Sequence, residues 1–383
     1  MKQGNPLPRY DAHICLVSQQ LLPNILPLLP PESRPDQVVL LVSSDMKERA
    51  NLLQHFLKNL GCQVRQNDIS PFDFADIRNK VLNLATEFET RSIALNATGG
   101  TKIMSLGATE VFRSFDLPVF YIDTDNSQFI QLSPALSSQP LIGKIQLKTY
   151  LAAYGYQLVE RGSCQILPTY QTLCDHLIQN SQHYIRAIPV LHGCAAAAEK
   201  KDPPQTRLEI RHQGSTPLTE LFDQFSKAGL IHLCDQNLYF TSEPARRFAA
   251  GFWLESYVTR ILNQLKGIGL VQDHACNLVI KTAEGVQNEI DLAFTARNRL
   301  YLIECKAGKL SEKEGKEHRA DAVAYKLDSL RDLIGGTYAK AMLVSFQPLI
   351  ATDLQRFKQS RIALVAGPEL KQLYSHIETW IQS

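Results

Sequence analysis

Residues 288–306 read "NEIDLAFTARNRLYLIECK", two β-rich runs on either side of the polar turn "ARNR". Successive strand side chains point to opposite faces, so in "LYLIECK" (300–306) Leu302, Glu304 and Lys306 share one face while Tyr301, Ile303 and Cys305 share the other. A carboxylate and an ammonium thus stand side by side at the end of an apolar strand, where burying a charge costs several kcal/mol unless something compensates it. In the first run Asp291 shares a face with Glu289 and Ala293, again among apolar residues. A hairpin brings Asp291 beside Glu304, and adjacent carboxylates repel unless one is protonated or a cation bridges them. Oxygen ligands favour Mg²⁺ or Mn²⁺, which can activate water as a nucleophile. Lys306 is placed to orient that water or to stabilise charge developing on a scissile phosphate.

Around this hairpin the sequence from 249 to 383 reads as one mixed α/β domain. A helix "AAGFWLESYVTRILNQL" precedes strands near "CNLVIKT", "NEIDLAFTA" and "RLYLIECKA", and further helices alternate with "KAMLVSF" and "RIALVAG". Asp followed about a dozen residues later by Glu-x-Lys at a strand end resembles the PD-(D/E)xK nucleases. The resemblance implies a restriction-endonuclease-like fold, with Asp291, Glu304 and the Cys305 backbone carbonyl as metal ligands and Lys306 as catalytic lysine. It also implies an acidic residue from a preceding helix supporting metal or water, and Glu255 in "GFWLESYV" matches. Ile290 stands where the family name implies Pro. The plainer alternative for Glu304 and Lys306 is a solvated cross-strand pair. Lys326 and Arg331 in "AYKLDSLRD" are either phosphate contacts or a solvated helix face.

Residues 1–145 differ in texture. Short apolar runs "HICLVS", "QVVLLVSS", "CQVRQNDI", "SIALNATGG" and "PVFYIDT" alternate with amphipathic stretches, which predicts right-handed βαβ units and a parallel, Rossmann-like sheet ending on "DNSQFIQLS". "NATGGTK" (96–102) passes from a strand into a helix; Gly99 and Gly100 permit a tight turn and close backbone approach, and the helix start offers unpaired N–H groups. It is neither a Walker loop nor GxGxxG, so ATP hydrolysis and NAD binding are unsupported. The loop reads as an anion cradle or as a turn with Thr101 as N-cap. Ser18, Gln19, Ser43, Ser44 and Asp123 to Asn126 follow other strands on the same side, the ligand edge of an open parallel sheet.

The stretch 146–248 carries helical segments, the break "KDPPQTR", and a helix, Gly turn and hairpin in "PLTELFDQFSKAGLIHLCDQNLYFTS". It reads as a winged-helix-like module, or as a helical linker or dimerisation segment.

A Rossmann-like domain with N-x-T-G-G-T-K, a winged-helix-like middle and a C-terminal PD-(D/E)xK domain resembles the CARF-domain nucleases of type III CRISPR defence. That resemblance implies that Asn96, Thr98, Gly99, Gly100, Thr101 and Lys102, with Ser44 and Gln19, bind a cyclic oligoadenylate, usually the tetra-adenylate, across a homodimer axis. It further implies that binding switches on metal-dependent cleavage of DNA or RNA. A different class of function is a ligand-responsive nucleic-acid-binding regulator whose nuclease-like domain is silent.

Composition is compatible with this. Lys plus Arg (40) against Asp plus Glu (38) leaves a formal +2, so any basic nucleic-acid surface must be local. The eight cysteines are scattered with no CxxC pair, which predicts reduced thiols and a cytoplasmic location. No signal peptide is expected, and "LLPNILPLLPP" is too short and too proline-broken to span a bilayer.

Overall fold

Apolar runs that lie in the middle of a helix-covered sheet need no polar face, and this shapes the first domain. The structure is a computed structural model describing residues 7–141, 143–162, 167–209, 214–310, 313–314, 317–335 and 338–383. Strands β1 (Ala12–Leu16), β2 (Gln37–Val42), β3 (Gln63–Asp68), β4 (Ile93–Asn96) and β5 (Val119–Asp123) are parallel, and β6 (Gln128–Ser133) and β7 (Ser137–Pro140) add antiparallel strands. The order is β3-β2-β1-β4-β5-β6-β7. The sequence expectation stops at β6; the polar β7 is an additional edge. Helices Lys47–Asn59, Phe74–Glu87 and Lys102–Ser114 supply the crossovers, the last two N-capped by Asp73 and Thr101. Strand order reverses between β1 and β4, so the ligand crevice falls at their carboxyl ends, beside "NATGGTK".

The next segment does two things. After the helix Leu147–Ala153, β8 (Gln157–Arg161) pairs with a strand of the C-terminal sheet. The remainder forms helices Pro168–Gln179, Ala187–Ala197 and Thr216–Lys227 around a small antiparallel sheet of β9 (Gln205–Arg207), β10 (Ile231–Cys234) and β11 (Asn237–Phe240), in the order β10-β11-β9. The helix and hairpin follow the expected winged-helix-like order, with β9 added as a third strand.

The C-terminal sheet contains β12 (Asp273–Lys281), β13 (Gln287–Ala296) and β14 (Arg299–Lys306). A two-residue pair follows, β15 (Lys313–Glu314) with β16 (Glu317–His318), and then β17 (Lys340–Ser345) and β18 (Ala363–Ala366). Its order is β18-β17-β14-β13-β12-β8, antiparallel from β8 to β14 and parallel from β14 to β18. Arg297 and Asn298 take positive φ (50° and 58°), the two-residue hairpin turn that closes β13 onto β14. The helix Trp253–Gly267 covers one face and buries Trp253, Val258, Ile261, Leu262 and Leu265, each contributing about 1.5–3 kcal/mol by leaving water. The sequence reading starts this helix at Ala249; instead residues 248–252 form one wide turn with Gly251 at φ 135°, and the regular helix begins at Trp253. Glu255 therefore sits in its first turn.

The cores are continuous across segments. One apolar cluster joins Leu173, Leu221 and Phe248 to Trp253, Phe294 and Ile303, so the middle module is seated on the C-terminal sheet. A second joins Leu40 and Phe120 of the first domain through Leu147 and Tyr150 to Leu278, Ile290 and Leu302. Among the described residues no disulfide joins the cysteines, Cys164 lying outside them. Among the described residues no helix is long and apolar enough to cross a membrane.

Candidate active site and activator site

The catalytic candidates meet where two strands change face together. Cys276 and Leu292 pair and pack in one apolar cluster, yet Leu278 and Ile290, also paired, pack in the other. On regular strands residues two apart share a face. The parity therefore flips at Asn277 and Asp291, which lie opposite each other between those pairs, and Asn277 has φ 47°. Such irregularities re-aim side chains. Here Asp291 is turned toward β14, where its Oδ2 accepts a hydrogen bond from the Cys305 backbone N–H at 2.8 Å. Asp291 also lies just past the last β13–β14 pair, Leu292 with Ile303, in register with Glu304.

Glu304 is 3% exposed. Lys306 Nζ lies 2.7 Å from Glu304 Oε1 and 3.7 Å from Asp291 Oδ2. Lys326 Nζ reaches both oxygens of Glu304, at 3.1 and 2.9 Å. Glu304 and Lys306 are thus a shielded charge cluster, not a solvated cross-strand pair. Lys326 belongs to that cluster and not to a solvated helix face. Arg331 is bound instead to Asp328, Asp332 and the Ser360 carbonyl.

The carboxylates divide electrostatically. Burial pushes the Glu304 carboxyl upward, but the Lys306 and Lys326 ammoniums outweigh it and hold the group below its ordinary value. Asp291 is raised, first by burial and then by Glu304, against the pull of Lys306. Burial, with Asp291 and Glu304 adding repulsion, pushes Glu255 up to about 8. Lys306 loses hydration by burial, yet Asp291 and Glu304 raise it above its ordinary value, so it stays an ammonium. The cluster holds carboxylates pushed apart in acidity beside a fixed positive charge, an arrangement suited to acid–base chemistry at phosphate.

Among the described residues no three His, Cys, Asp or Glu side chains form a ready cage for a metal ion. The donor set nevertheless fits a hard cation that keeps waters. Glu255 Oε2 is buried with no hydrogen-bond partner, and Glu255 and the neighbouring Asp291 both resist ionisation, the signature of negative charge short of a counter-charge.

At the other site, Gly99 passes so close to β1 that a Cβ there would meet the Leu16 carbonyl oxygen at 2.1 Å. Gly100 has φ 71°. Thr101 caps the following helix through Met104 N–H and donates to the Pro71 carbonyl at 2.7 Å. Asn96 is fully buried; its amide donates to the Pro23 carbonyl and to Asn24, while its Oδ1 accepts from Thr98. Thr98 Oγ1 in turn accepts from Ile122 N–H at 2.8 Å. The side chains of Asn96, Thr98 and Thr101 are therefore engaged in shaping the loop, and the surface it offers is backbone. Lys102, Ser44 and Gln19 are exposed on the rim, Ser44 bonded to Asp45 and Gln19 to Arg49. Asn24, unmarked in the sequence reading, is the second buried amide of this network.

The two sites are tied together. Arg297 donates to the Asp125 carbonyl at 2.8 Å and Arg299 pairs with the Asp125 carboxylate, so the turn after β5 grips the turn of the hairpin that carries Asp291 and Glu304.

Residues 12–150 match the family profile described as the Card1 CARF domain, and residues 242–383 match that of the Card1-like endonuclease domain. None of the curated proteins matches the chain. Among solved structures, Can2 from Sulfobacillus thermosulfidooxidans in complex with cyclic tetra-adenylate is 28% identical over 97% of this chain and 98% of its own, with a TM-score of 0.81. Protein VC1899 from Vibrio cholerae is 26% identical over the same shares, with a TM-score of 0.85. A type III CRISPR defence DNA nuclease activated by cyclic oligoadenylate shares the fold at 18% identity and a TM-score of 0.54, over 90% of this chain and 47% of its own. The chain therefore joins a CARF domain of the Card1 type to a Card1-like endonuclease domain.

Proposed function

We propose that this protein is a nuclease of type III CRISPR defence, activated by cyclic oligoadenylate, that hydrolyses phosphodiesters at the Glu255, Asp291, Glu304 and Lys306 cluster. One observation carries the assignment of the site: residues from one helix and two strands, far apart in sequence, meet in one shielded charge cluster around an orphaned carboxylate oxygen. Asp291, Glu304, Glu255 and the Cys305 carbonyl would hold Mn²⁺ or Mg²⁺, which supplies positive charge at the scissile phosphate and acidifies a water. Lys306, held as an ammonium by two carboxylates, is positioned to meet the negative charge that grows on the phosphate oxygens. Glu255, neutral below about pH 8 while no cation is bound, would give up its proton on taking one.

Cyclic tetra-adenylate is the activator favoured by the likeness to Can2. The backbone of Thr98 to Thr101 and the exposed Lys102 would meet its phosphates, with Ser44 and Gln19 on the rim, and Asn96 fixing the loop from beneath. A symmetric ring suits a two-fold homodimer that presents this loop twice. Light scattering then gives twice the 43.0 kDa chain mass, and a monomeric mass at micromolar concentration would contradict the dimer. A cytoplasmic site of action goes with these partners. The function is tested by incubating the protein with Mn²⁺ or Mg²⁺, cyclic tetra-adenylate and plasmid, single-stranded DNA or RNA. Ligand-dependent products are expected; retardation of nucleic acid without products would support a silent regulator instead.

A further inference from the structure

Beside the catalytic cluster lies a cavity of about 700 Å³ that none of the assigned residues uses. Its lining includes Gly162 at the end of β8, Asn277 of β12, and Pro244, Arg247 and Phe252 from the segment leading into the Glu255 helix. Two of these touch the catalytic geometry directly. Asn277 is the residue opposite Asp291 where both strands change face, and Phe252 immediately precedes the helix that carries Glu255. Gly162 leaves room for that amide: a Cβ there would approach Asn277 Cβ and the Cys276 carbonyl oxygen to 2.9 Å each.

The lining chemistry selects among ligands. Glu243 is spent on a two-pronged pair with Arg246 at 2.7 Å, and Arg161 is bound to Asp273 and the His274 carbonyl, while Glu160 remains exposed. The floor is therefore close to neutral, with an aromatic ring, a proline and a carboxamide, which suits a nucleobase better than a phosphate. Arg247 is exposed at the mouth and within electrostatic reach of Glu255, where a backbone phosphate would pass. We infer that this cavity is a nucleoside subsite, holding an unpaired or extruded base next to the scissile phosphate, with Asn277 on the base edge, Phe252 against its face and Arg247 on the adjoining phosphate. The inference rests on the nuclease reading and adds a base-recognising step to it.

Abasic scanning tests it. Labelled single-stranded oligonucleotides with one abasic position moved through the cleaved region are cut by the full-length protein with Mn²⁺ and cyclic tetra-adenylate. At one offset from the cut the missing base should raise KM about tenfold, as loss of one stacked base does. Asn277→Gly, which keeps the left-handed backbone, should raise KM on the intact strand and show a reduced further penalty at that offset. Arg247→Ala should weaken binding of every strand and lower the salt slope by about one. Cleavage with a flat scan, or an Asn277→Gly protein as discriminating as the parent, overturns the subsite alone. No cleavage of any strand overturns the nuclease reading and the subsite with it.

Discussion

Glu255 sets the pH behaviour of the site. A glutamate in the unfolded chain ionises near 4.5, and in the fold burial and its carboxylate neighbours move it to about 8. Between these values the unfolded state releases its proton first, so without metal the folded state loses stability as pH rises through the window, and the loss is complete above about 8. Glu255→Gln cannot ionise, so its melting temperature relative to the parent should climb across that window in metal-free buffer; parallel melting curves would refute the assigned environment. Gly99 makes the second prediction at this scale. Gly99→Ala drives a Cβ into the Leu16 carbonyl, so it should cost about 3 kcal/mol and abolish cyclic tetra-adenylate binding, read by thermal melting and calorimetry. Unchanged binding would mean the loop does not form the activator site. Glu304 and Lys306 were legible in sequence because period-two alternation exposes a charge beside apolar neighbours, and Asp291 as a charge flanked by apolar residues, although the alternation that placed it on the face of Glu289 and Ala293 breaks at Asp291 itself. Lys326 carried a fainter signal: it is three residues after buried Val323 and four before buried Leu330, on the apolar stripe of its helix. Its partner on β14 becomes apparent only in three dimensions.

At the scale of elements, the β13–β14 hairpin is gripped at its turn by Asp125 and bears Asp291 and Glu304, the proposed catalytic carboxylates, at its open end. Thr98 of the glycine loop bonds Ile122 near the end of β5, and the chain runs from there directly into that same turn, so an activator held at the loop would be linked to the hairpin through one hydrogen bond and three residues of backbone. The Asp125 carboxylate is 61% exposed, so its pair with Arg299 adds at most about 1 kcal/mol of stability. Arg299→Ala should therefore leave melting and activator affinity nearly unchanged while cutting the stimulation of cleavage about tenfold, the size of a typical coupling energy. Full stimulation in that variant would remove this contact from the route. The hairpin was readable from "ARNR" between two alternating runs, whereas the sixth strand of its sheet was not. Gln157–Arg161 is a short, largely exposed edge strand, and edge strands with polar faces lack the apolar pattern that marks central ones. The joint change of face at Asn277 and Asp291 was equally hidden, because it depends on which cluster each neighbour packs in and not on residue type.

For the whole molecule, shared cores matter more than the three-segment division the sequence suggests. The middle module is seated on the C-terminal sheet, and the helix Leu147–Ala153 is packed between the first domain and that sheet. The glycine loop and the charge cluster were each readable as local motifs, but the contacts that link their elements appear only in the fold. On the proposed function, cyclic tetra-adenylate binding in the first domain turns on hydrolysis at Asp291, Glu304 and Lys306. The most direct measurement is the single-turnover cleavage rate of a labelled single strand in Mn²⁺, with and without cyclic tetra-adenylate, for the parent and for Glu304→Gln. A large activator-dependent rate is expected in the parent and none in Glu304→Gln, with activator binding retained. Equal rates with and without activator, or activator-dependent cleavage surviving in Glu304→Gln, would contradict it.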